Sequence, residues 1–334
     1  MSSIIFFLRK MRPGAFSINQ TFEALSDIVG RSNHVSLCHL TQTGASFKSI
    51  LGNIITAMRA SGTGINHITG DVHYVALGIN VGHIVLTIHD CVILDRTSKW
   101  NPKFYLYLWF WYKLPIWKAD KVTTISEKTK FEIAAFTGCS ADKIVVIPNF
   151  VNKIYRYHPK EFNKTCPRIL HIGVFPNKNL ERVIPALEGI PCILEIIGEL
   201  EERHFNLLRR YGIDFESRAN LLLSEMAERY IQADMLVFAS TYEGFGLPVV
   251  EAQSTGRPVV TSNIAPLNGV AGDKGACFVN PYDIKAIREG ILKVIHDDGF
   301  RTRLVSNGLE NIKRFTLEQV AKEYQQLYQS LAIR

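Results

Sequence analysis

The residues with the clearest chemical pattern are two glutamates that flank a glycine-rich turn. Glu243 lies directly before residues 244–247, two of which are glycines, and Glu251 lies eight residues after Glu243. Glycine lets the main chain approach a ligand closely, and free amides at a helix start favour a phosphate or a sugar hydroxyl. The two carboxylates are suited to accept hydrogen bonds from the hydroxyls of a sugar and a ribose. The alternative is an ordinary strand-to-helix turn in which Glu251 only complements the helix dipole.

The segment around these glutamates resembles the E-x7-E signature of the retaining family 4 glycosyltransferases. Other segments resemble the same family in the same order, over nearly the whole chain: HD at residues 89–90, ADKVTTISEKTK from residue 119, KIVVIPNFV from 143, IGVFPNKNL from 172, and GRPVVTSN followed by ACFVNPYD. The resemblance implies an α/β protein of GT-B architecture, with two Rossmann-like doubly wound parallel-sheet domains facing a central cleft. It also implies transfer of a sugar from a nucleotide-diphosphate-sugar donor with retention at the anomeric carbon.

The resemblance assigns roles to individual residues. Lys178 matches the lysine on the donor diphosphate, and a compact ammonium suits the charge that develops on the leaving group. Glu243 matches the contact to the ring hydroxyls of the transferred sugar, and His89 matches a histidine that reaches this sugar from the first domain. These three form the implied catalytic set; taken singly, Lys178 also fits a solvated charge and His89 a core or capping histidine. The implied donor-binding residues are Gly14, Gly244, Phe245, Gly246, Leu247 and Glu251, the last on the ribose.

Three positions depart from the family pattern. Val174 stands where many members carry an arginine that helps to neutralise the diphosphate, and Arg182 on the following predicted helix is a candidate substitute. The paired glycines of the first loop are reduced to Gly14, and the glutamate common after GRPVV-type strands is absent from residues 266–270. The chain has no D-x-D pair and no cluster of metal-binding side chains at ligand spacing, so we expect neither a metal nor another cofactor.

A second distinctive segment is residues 100–117, WNPKFYLYLWFWYKLPIW, which contains all four tryptophans and is flanked by lysines. Tryptophan and tyrosine suit a membrane interface, and lysines suit anionic headgroups. We therefore expect an anionic membrane surface and a lipid-linked or oligosaccharide acceptor here. The alternative is a core helix that is apolar on most faces. The residues assigned to this surface are Trp109, Trp111, Lys113, Trp117 and Lys118.

Basic charge is concentrated in the first half of the chain. Residues 1–150 carry 15 Lys and Arg against 9 Asp and Glu, a balance of +6, whereas residues 151–334 carry 23 against 22, a balance of +1. This asymmetry favours an anionic partner for the first half, with simple solubility as the alternative. Nucleic acid is disfavoured as that partner, because the basic residues follow the aromatic segment and no recognition motif is present.

These side chains must be positioned by a chain of 334 residues, long enough for two domains of about 150 residues each. Its 47% hydrophobic and 21% charged residues exclude a disordered scaffold. Short apolar runs alternate with stretches of helical period, as in βαβ units. The predicted strands are 4–8, 34–40, 64–68, 84–88, 121–125, 144–147, 168–172, 193–197, 220–223, 235–239, 258–262 and 276–279. The predicted helices are 17–29, 47–59, 127–136, 179–187, 202–211, 224–232, 248–254, 284–296 and 317–331.

The pattern predicts four segments: an N-terminal Rossmann-like domain (1–150) on the acceptor side, a linker (151–167), a donor-binding Rossmann-like domain (168–315), and a C-terminal helix (316–334) that crosses back to the first domain. No apolar run approaches the roughly 20 residues of a transmembrane helix. The short apolar stretch 4–8 precedes basic residues, the reverse of a secretory signal. We expect a cytoplasmic protein, peripheral on the inner face of the cell membrane, with its six cysteines reduced and buried.

The sequence as a whole favours a retaining, metal-independent glycosyltransferase that builds a cell-surface polysaccharide or lipopolysaccharide. One alternative is a GT-B sugar-nucleotide epimerase, which would not need the E-x7-E helix. A second alternative is a non-catalytic subunit that binds a nucleotide sugar, for which Val174 and residues 268–269 are the only indications.

Overall fold

The computed structural model describes residues 3–10, 17–44 and 46–332. The chain divides into two compact units. The first unit contains the residues up to Phe150 together with the segment from Leu317 onward, and the second unit is Val151–Thr316. The stretch 151–167, predicted as a linker, packs within the second unit, where the His158 amide donates to the Thr255 carbonyl and Lys160 pairs with Asp234 at 2.5 Å.

The first unit is built on a six-stranded parallel sheet with the order β2-β1-β3-β4-β5-β6. The central strands are apolar and buried on both faces, as parallel strands covered by crossover helices must be. The strands are β1 (Ser3–Leu8), β2 (His34–His39), β3 (Ile65–Ile68), β4 (His83–Ile88), β5 (Lys121–Thr124) and β6 (Ile144–Val146).

Helices cover this sheet, and short helical turns extend the loops at its edges. The α-helices are α1 (Ser17–Val29), α2 (Phe47–Ala60), α3 (Val92–Asp95), α4 (Pro102–Tyr107), α5 (Leu114–Lys118) and α6 (Glu127–Thr137). A π-helix (Leu108–Lys113) joins α4 to α5, and 3₁₀ turns occupy His73–Gly78 and Ala141–Lys143. Capping residues determine both ends of α6: the Ser126 side chain caps its start, and Gly138 ends it in the left-handed conformation.

The second unit repeats the plan, with a parallel sheet of order β12-β11-β10-β7-β8-β9. Its strands are β7 (Arg168–Ile172), β8 (Ile193–Ile197), β9 (Asp214–Arg218), β10 (Met235–Phe238), β11 (Val259–Ser262) and β12 (Cys277–Val279). Its α-helices are α7 (Leu180–Ala186), α8 (Glu202–Arg210), α9 (Leu223–Gln232), α10 (Leu247–Ser254), α11 (Leu267–Ala271), α12 (Ile284–His296) and α13 (Asp298–Asn311), with 3₁₀ turns at Pro176–Lys178 and Ile312–Phe315.

The last helix, α14 (Leu317–Ala332), belongs to the first unit. Its apolar stripe is buried in a cluster with β1 and α1, including Phe6 and Phe22. A buried polar chain joins the helix to the sheet: Nδ1 of His67 is hydrogen-bonded to the Tyr328 hydroxyl at 2.7 Å, and Nε2 to Thr87 at 2.7 Å. Burial lowers the pKa of His67 to about 3, so this network is neutral.

Two local predictions are wrong. The strand expected at 220–223 lies earlier, at β9, an edge strand of alternating charged residues that carries no apolar run to reveal it. The leucines at 221–223 instead lead into α9, and Leu222 is 68% exposed. The six cysteines are free, but only Cys91, Cys192 and Cys277 are buried. Helix α13 was not predicted, because its glycines and polar residues obscure the helical period.

Candidate active site

The glycine turn of the second unit follows β10 and opens α10. Gly246 has φ 106°, a left-handed value that only glycine adopts readily. A Cβ placed on Gly246 would lie 2.4 Å from Cδ2 of Leu267, so a side chain at this position would also require Leu267 to shift. Phe245 is buried with its ring 5.5 Å from that of Phe315. Gly244 and Leu247 complete this turn, and their predicted role rests on backbone amides.

Lys178 and Glu243 meet at this turn, although 65 residues separate them. The Lys178 ammonium lies 2.6 Å from Oε1 of Glu243, and the Ser240 hydroxyl donates to the same oxygen at 2.7 Å. The lysine stem is held between the Phe238 ring, 4.9 Å from Nζ, and Gly173, where a Cβ would lie 2.8 Å from Cγ of Lys178. The structure therefore brings together two of the predicted catalytic residues as a partly buried ion pair.

Glu251 is the fifth residue of α10. The buried Tyr230 hydroxyl on α9 donates to its Oε2 at 2.6 Å. Burial raises the pKa of Glu251 to about 7, and the Tyr230 bond opposes that rise. Sequence reasoning missed Tyr230, since a tyrosine in the apolar stripe of a helix gives no signal beyond core packing.

Val174 stands at the position of the expected diphosphate arginine, and Arg182 is the candidate substitute for that arginine. Val174 packs on Gly198, where a Cβ would lie 2.8 Å from Cγ1 of Val174. Arg182 donates to Oδ1 of Asn179 at 2.8 Å and lies over the Tyr282 ring at 5.7 Å. The guanidinium of Arg182 is thus held by Asn179 at the start of α7 and by Tyr282 from the loop before α12. Among the described residues, no contact shows that Arg182 takes the place of the missing arginine.

His89 lies in the first unit at the carboxyl end of β4, the sheet edge where parallel α/β proteins bind ligands. Its Nε2 donates to the Thr69 carbonyl at 2.8 Å, which leaves Nδ1 as an acceptor. Burial lowers the pKa of His89. A cavity of about 550 Å³ opens beside it, lined by charged and aromatic side chains that include Arg9, Asp71, Asp90, Arg96, Trp111 and Tyr112.

The aromatic segment is divided between two environments. Trp111 and Tyr112 are buried, and Trp111 is fixed by its indole N–H, which donates to the Asp71 carbonyl at 3.0 Å. The buried His73 donates from Nδ1 to the Trp111 carbonyl at 2.8 Å, so a contact from another element stabilises the π-helix. Neither the membrane surface nor the core helix describes the whole segment.

Other side chains of the segment are exposed, and its C-terminal part borders a second cavity of about 570 Å³ at the amino ends of β5 and β6. Trp109 is 48% and Trp117 81% exposed, and Lys113 lies over the Trp109 ring at 5.0 Å. All three line this cavity. Lys118, assigned to the same surface, instead donates to the Leu77 carbonyl and to Asn80, both at 2.9 Å.

Three further predictions concern Gly14, a metal site and a membrane-spanning helix. Gly14 lies outside the described residues. Within the described ranges, no group of three or more His, Cys, Asp and Glu side chains is placed to hold a metal ion. No helix in that part of the chain has both the length and the hydropathy to cross a membrane.

Two family models match the chain. The model described as Glycosyl transferases group 1 matches residues 157–311, and the model described as Glycosyltransferase Family 4 matches residues 67–153. The chain is a group 1/family 4 glycosyltransferase. The first matched range of this glycosyltransferase contains Lys178, Glu243 and Glu251, and the second contains His89.

The chain is similar in sequence to two proteins that are named as mannosyltransferases. It is 40% identical over 243 residues to the O-antigen chain mannosyltransferase B of Escherichia coli, covering 64% of this chain and 61% of the relative. It is 27% identical over 231 residues to the serotype-specific mannosyltransferase WbdA of Escherichia coli, covering 61% of this chain but 28% of WbdA. The matched region is therefore less than two thirds of either relative.

A solved structure shows the same fold. Anabaena Alr3699/HepE, crystallised in complex with UDP and glucose, has a TM-score of 0.79 to the glycosyltransferase at 16% identity, covering 99% of this chain and 100% of that one. The predicted GT-B fold is confirmed.

Proposed function

We propose that this glycosyltransferase transfers a hexose, with mannose as the first candidate, from a nucleotide-diphosphate donor to a saccharide acceptor of O-antigen or lipopolysaccharide type, with retention at the anomeric carbon. The observation that carries the proposal is the Lys178–Glu243 pair, 2.6 Å apart beside the glycine turn. Mannose is proposed because both Escherichia coli relatives described above are named as mannosyltransferases. The UDP bound to the Anabaena protein supports a nucleotide donor.

The ion pair suggests how the donor would be received. The diphosphate displaces the carboxylate of Glu243 from the Lys178 ammonium, so the lysine faces the oxygens on which negative charge develops. Glu243, still bonded to Ser240, is then available to accept hydrogen bonds from ring hydroxyls of the sugar. Each charge is neutralised by the other until the donor arrives, which limits the cost of keeping both partly buried.

The chemical step needs no nucleophile from the enzyme. The acceptor hydroxyl attacks the anomeric carbon as the bond to the diphosphate breaks, and the leaving phosphate oxygen takes the hydroxyl proton on the same face of the sugar. Lys178 stabilises the leaving diphosphate without a metal ion, and Glu251 holds the ribose of the donor. We assign His89 a contact to the transferred sugar through Nδ1, which its bond to Thr69 leaves as an acceptor.

The acceptor side is proposed for the first unit. The cavity beside His89 combines aromatic walls with the carboxylates of Asp71 and Asp90, a lining suited to sugar hydroxyls. The exposed Trp109 and Trp117, with Lys113, suit an anionic membrane surface and thus a lipid-linked acceptor. The protein would then work as a peripheral enzyme on the cytoplasmic face of the membrane.

The test is release of nucleoside diphosphate from a panel of GDP- and UDP-sugars, with and without a membrane lipid extract and with and without a metal chelator. We expect acceptor-dependent release that the chelator does not slow, and α-configured product from an α-configured donor. A donor sugar that returns isomerised would identify an epimerase, and absence of any turnover would identify a binding subunit. Glu243→Ala should reduce turnover more than donor affinity, because the residue orients the reacting ring.

A further inference from the structure

A buried tyrosine contacts the implied ribose-binding carboxylate. Tyr230 lies on α9 with no exposed surface, and its hydroxyl is 2.6 Å from Oε2 of Glu251 on α10. The backbone at Tyr230 is anchored by Arg257, whose Nε donates to the Tyr230 carbonyl at 3.0 Å. The ring of Tyr155 meets the Tyr230 ring edge-on, with 5.3 Å between centroids. These contacts hold the Tyr230 side chain in place, and its hydroxyl in turn holds the Glu251 carboxylate.

The contact leaves the two carboxylate oxygens in different states. Oε2 accepts from Tyr230, whereas Oε1 accepts no hydrogen bond from any described residue. A carboxylate that binds a hydroxyl pair must present an oxygen in a fixed direction, since rotation about its last torsion is otherwise broad. We propose that Tyr230 is a positioning residue for the donor, holding Oε2 of Glu251 so that Oε1 is presented to a ribose hydroxyl. This proposal rests on the proposed function, because it takes Glu251 as the ribose ligand.

The charge state of Glu251 supports the same role. Burial raises the pKa of this carboxyl to about 7, while the hydrogen bond from Tyr230 favours the ionised form and lowers it. Within the described part of the chain, the ionisable side chains that interact with Glu251 are Tyr230 and Tyr155. Burial raises the pKa of both phenols, so neither ionises near neutral pH. Without the Tyr230 hydroxyl, Glu251 should hold its proton to higher pH and accept hydrogen bonds less well.

The test compares Tyr230→Phe with Tyr155→Phe, which removes a neighbouring phenol that is 5% exposed and has no hydrogen bond to Glu251. The two readouts are the pKa of the Glu251 carboxyl, from the ¹³C NMR shift of its side chain, and the affinities for UDP and GDP, measured by calorimetry from pH 6 to 8.5. We expect Tyr230→Phe to raise that pKa and to weaken binding of the preferred nucleotide about tenfold at pH 7. The part of the loss caused by protonation of Glu251 should disappear at pH 8.5, and the part caused by the lost positioning should remain. Tyr155→Phe should follow the wild type.

Two results would overturn the positioning role. If Tyr230→Phe leaves the Glu251 pKa and the binding profile unchanged, the hydroxyl does not set the carboxylate. If Tyr230→Phe weakens nucleotide binding equally at every pH while the pKa of Glu251 is unchanged, Tyr230 contributes only through packing and not through its hydrogen bond to the carboxylate. A failure of the proposed function looks different: Glu251→Gln would leave wild-type nucleotide affinity intact although Tyr230→Phe still moves the Glu251 pKa. That result removes the ribose role and the positioning role together.

Discussion

Two buried tyrosine hydroxyls, one in each unit, have opposite surroundings. In the first unit, Tyr328 bonds to His67, and both ring nitrogens of that neutral histidine are paired within the fold. In the second unit, Tyr230 bonds to Glu251, whose burial works against its charge and whose other oxygen has no protein donor among the described residues. The first network is complete without a ligand, and the second is not.

This difference distinguishes polar groups that stabilise the fold from polar groups that are available to bind a ligand. A fully paired neutral network stabilises one packing of helix on sheet. A buried carboxylate with a raised pKa costs stability, and such groups concentrate at functional sites. The Lys178–Glu243 pair belongs with the second kind, because its charges lie at a turn whose backbone suits an anion.

The largest expected effect is at Lys178. Replacing it with alanine should slow the single-turnover rate about a hundredfold or more, since one electrostatic contact to the leaving group is lost. Rapid-quench measurements with the preferred donor and a lipid extract would show it. Lys164→Ala, which removes a surface lysine paired with Asp298, is the matched control and should keep the wild-type rate. A normal rate for Lys178→Ala would show that the Lys178–Glu243 ion pair stabilises the fold and does not act on the leaving group.

Tyr328→Phe should act on stability alone. It leaves Nδ1 of the buried His67 without a partner, at a cost of about 1–3 kcal/mol in the free energy of unfolding of the first unit. Denaturant unfolding would measure the loss, and Tyr105→Phe, at a 53% exposed tyrosine, should show none. Nucleotide affinity should stay at the wild-type value; a change there would break the distinction between the two tyrosines.

Glu251→Gln should stabilise the protein at alkaline pH. The folded pKa of about 7 lies above the ordinary 4.5, so wild-type stability falls as pH rises from 4.5 through 7 and the carboxyl must ionise while buried. Glutamine avoids that cost and still accepts from Tyr230. We expect a gain of about 1–2 kcal/mol at pH 8 and little at pH 5, from thermal unfolding at both values. Equal melting temperatures of the wild type and Glu251→Gln at pH 8 would show that ionisation of Glu251 does not reduce the stability of the folded protein.

The smallest expected effect is at the exposed aromatic surface. Trp117→Ala should reduce binding to vesicles of anionic phospholipid about three- to fivefold, because one interfacial side chain among several is removed. Phe131→Ala offers a control at a 70% exposed aromatic outside residues 100–117. Sedimentation with anionic and with zwitterionic vesicles would measure both. Identical binding by the two variants would leave Trp117 without a membrane role.

Apolar strands and amphipathic helices could be predicted from the sequence, because burial on a sheet leaves a run of apolar residues. Strand β1 and helix α12 were placed within one residue. Edge strand β9 could not be predicted, because its charged side chains do not have to be buried and so leave no apolar run in the sequence. The π-helix depends on a bond from His73, 38 residues away, and sequence spacing does not reveal such a contact. Glycines and glutamates of the site were visible as a motif, but Tyr230 was hidden among core residues.

The return of α14 to the first unit has a consequence for synthesis. The sheet of that unit emerges from the ribosome first, and all of Val151–Thr316 follows before the helix that covers β1 and α1. While the second unit is being made, Phe6, Phe22 and the imidazole of His67 lack the tyrosines that enclose them. A nascent chain halted between Phe150 and Leu317 should therefore expose an apolar face that folding catalysts of the cell can recognise, and should be degraded faster than a chain in which α14 is complete.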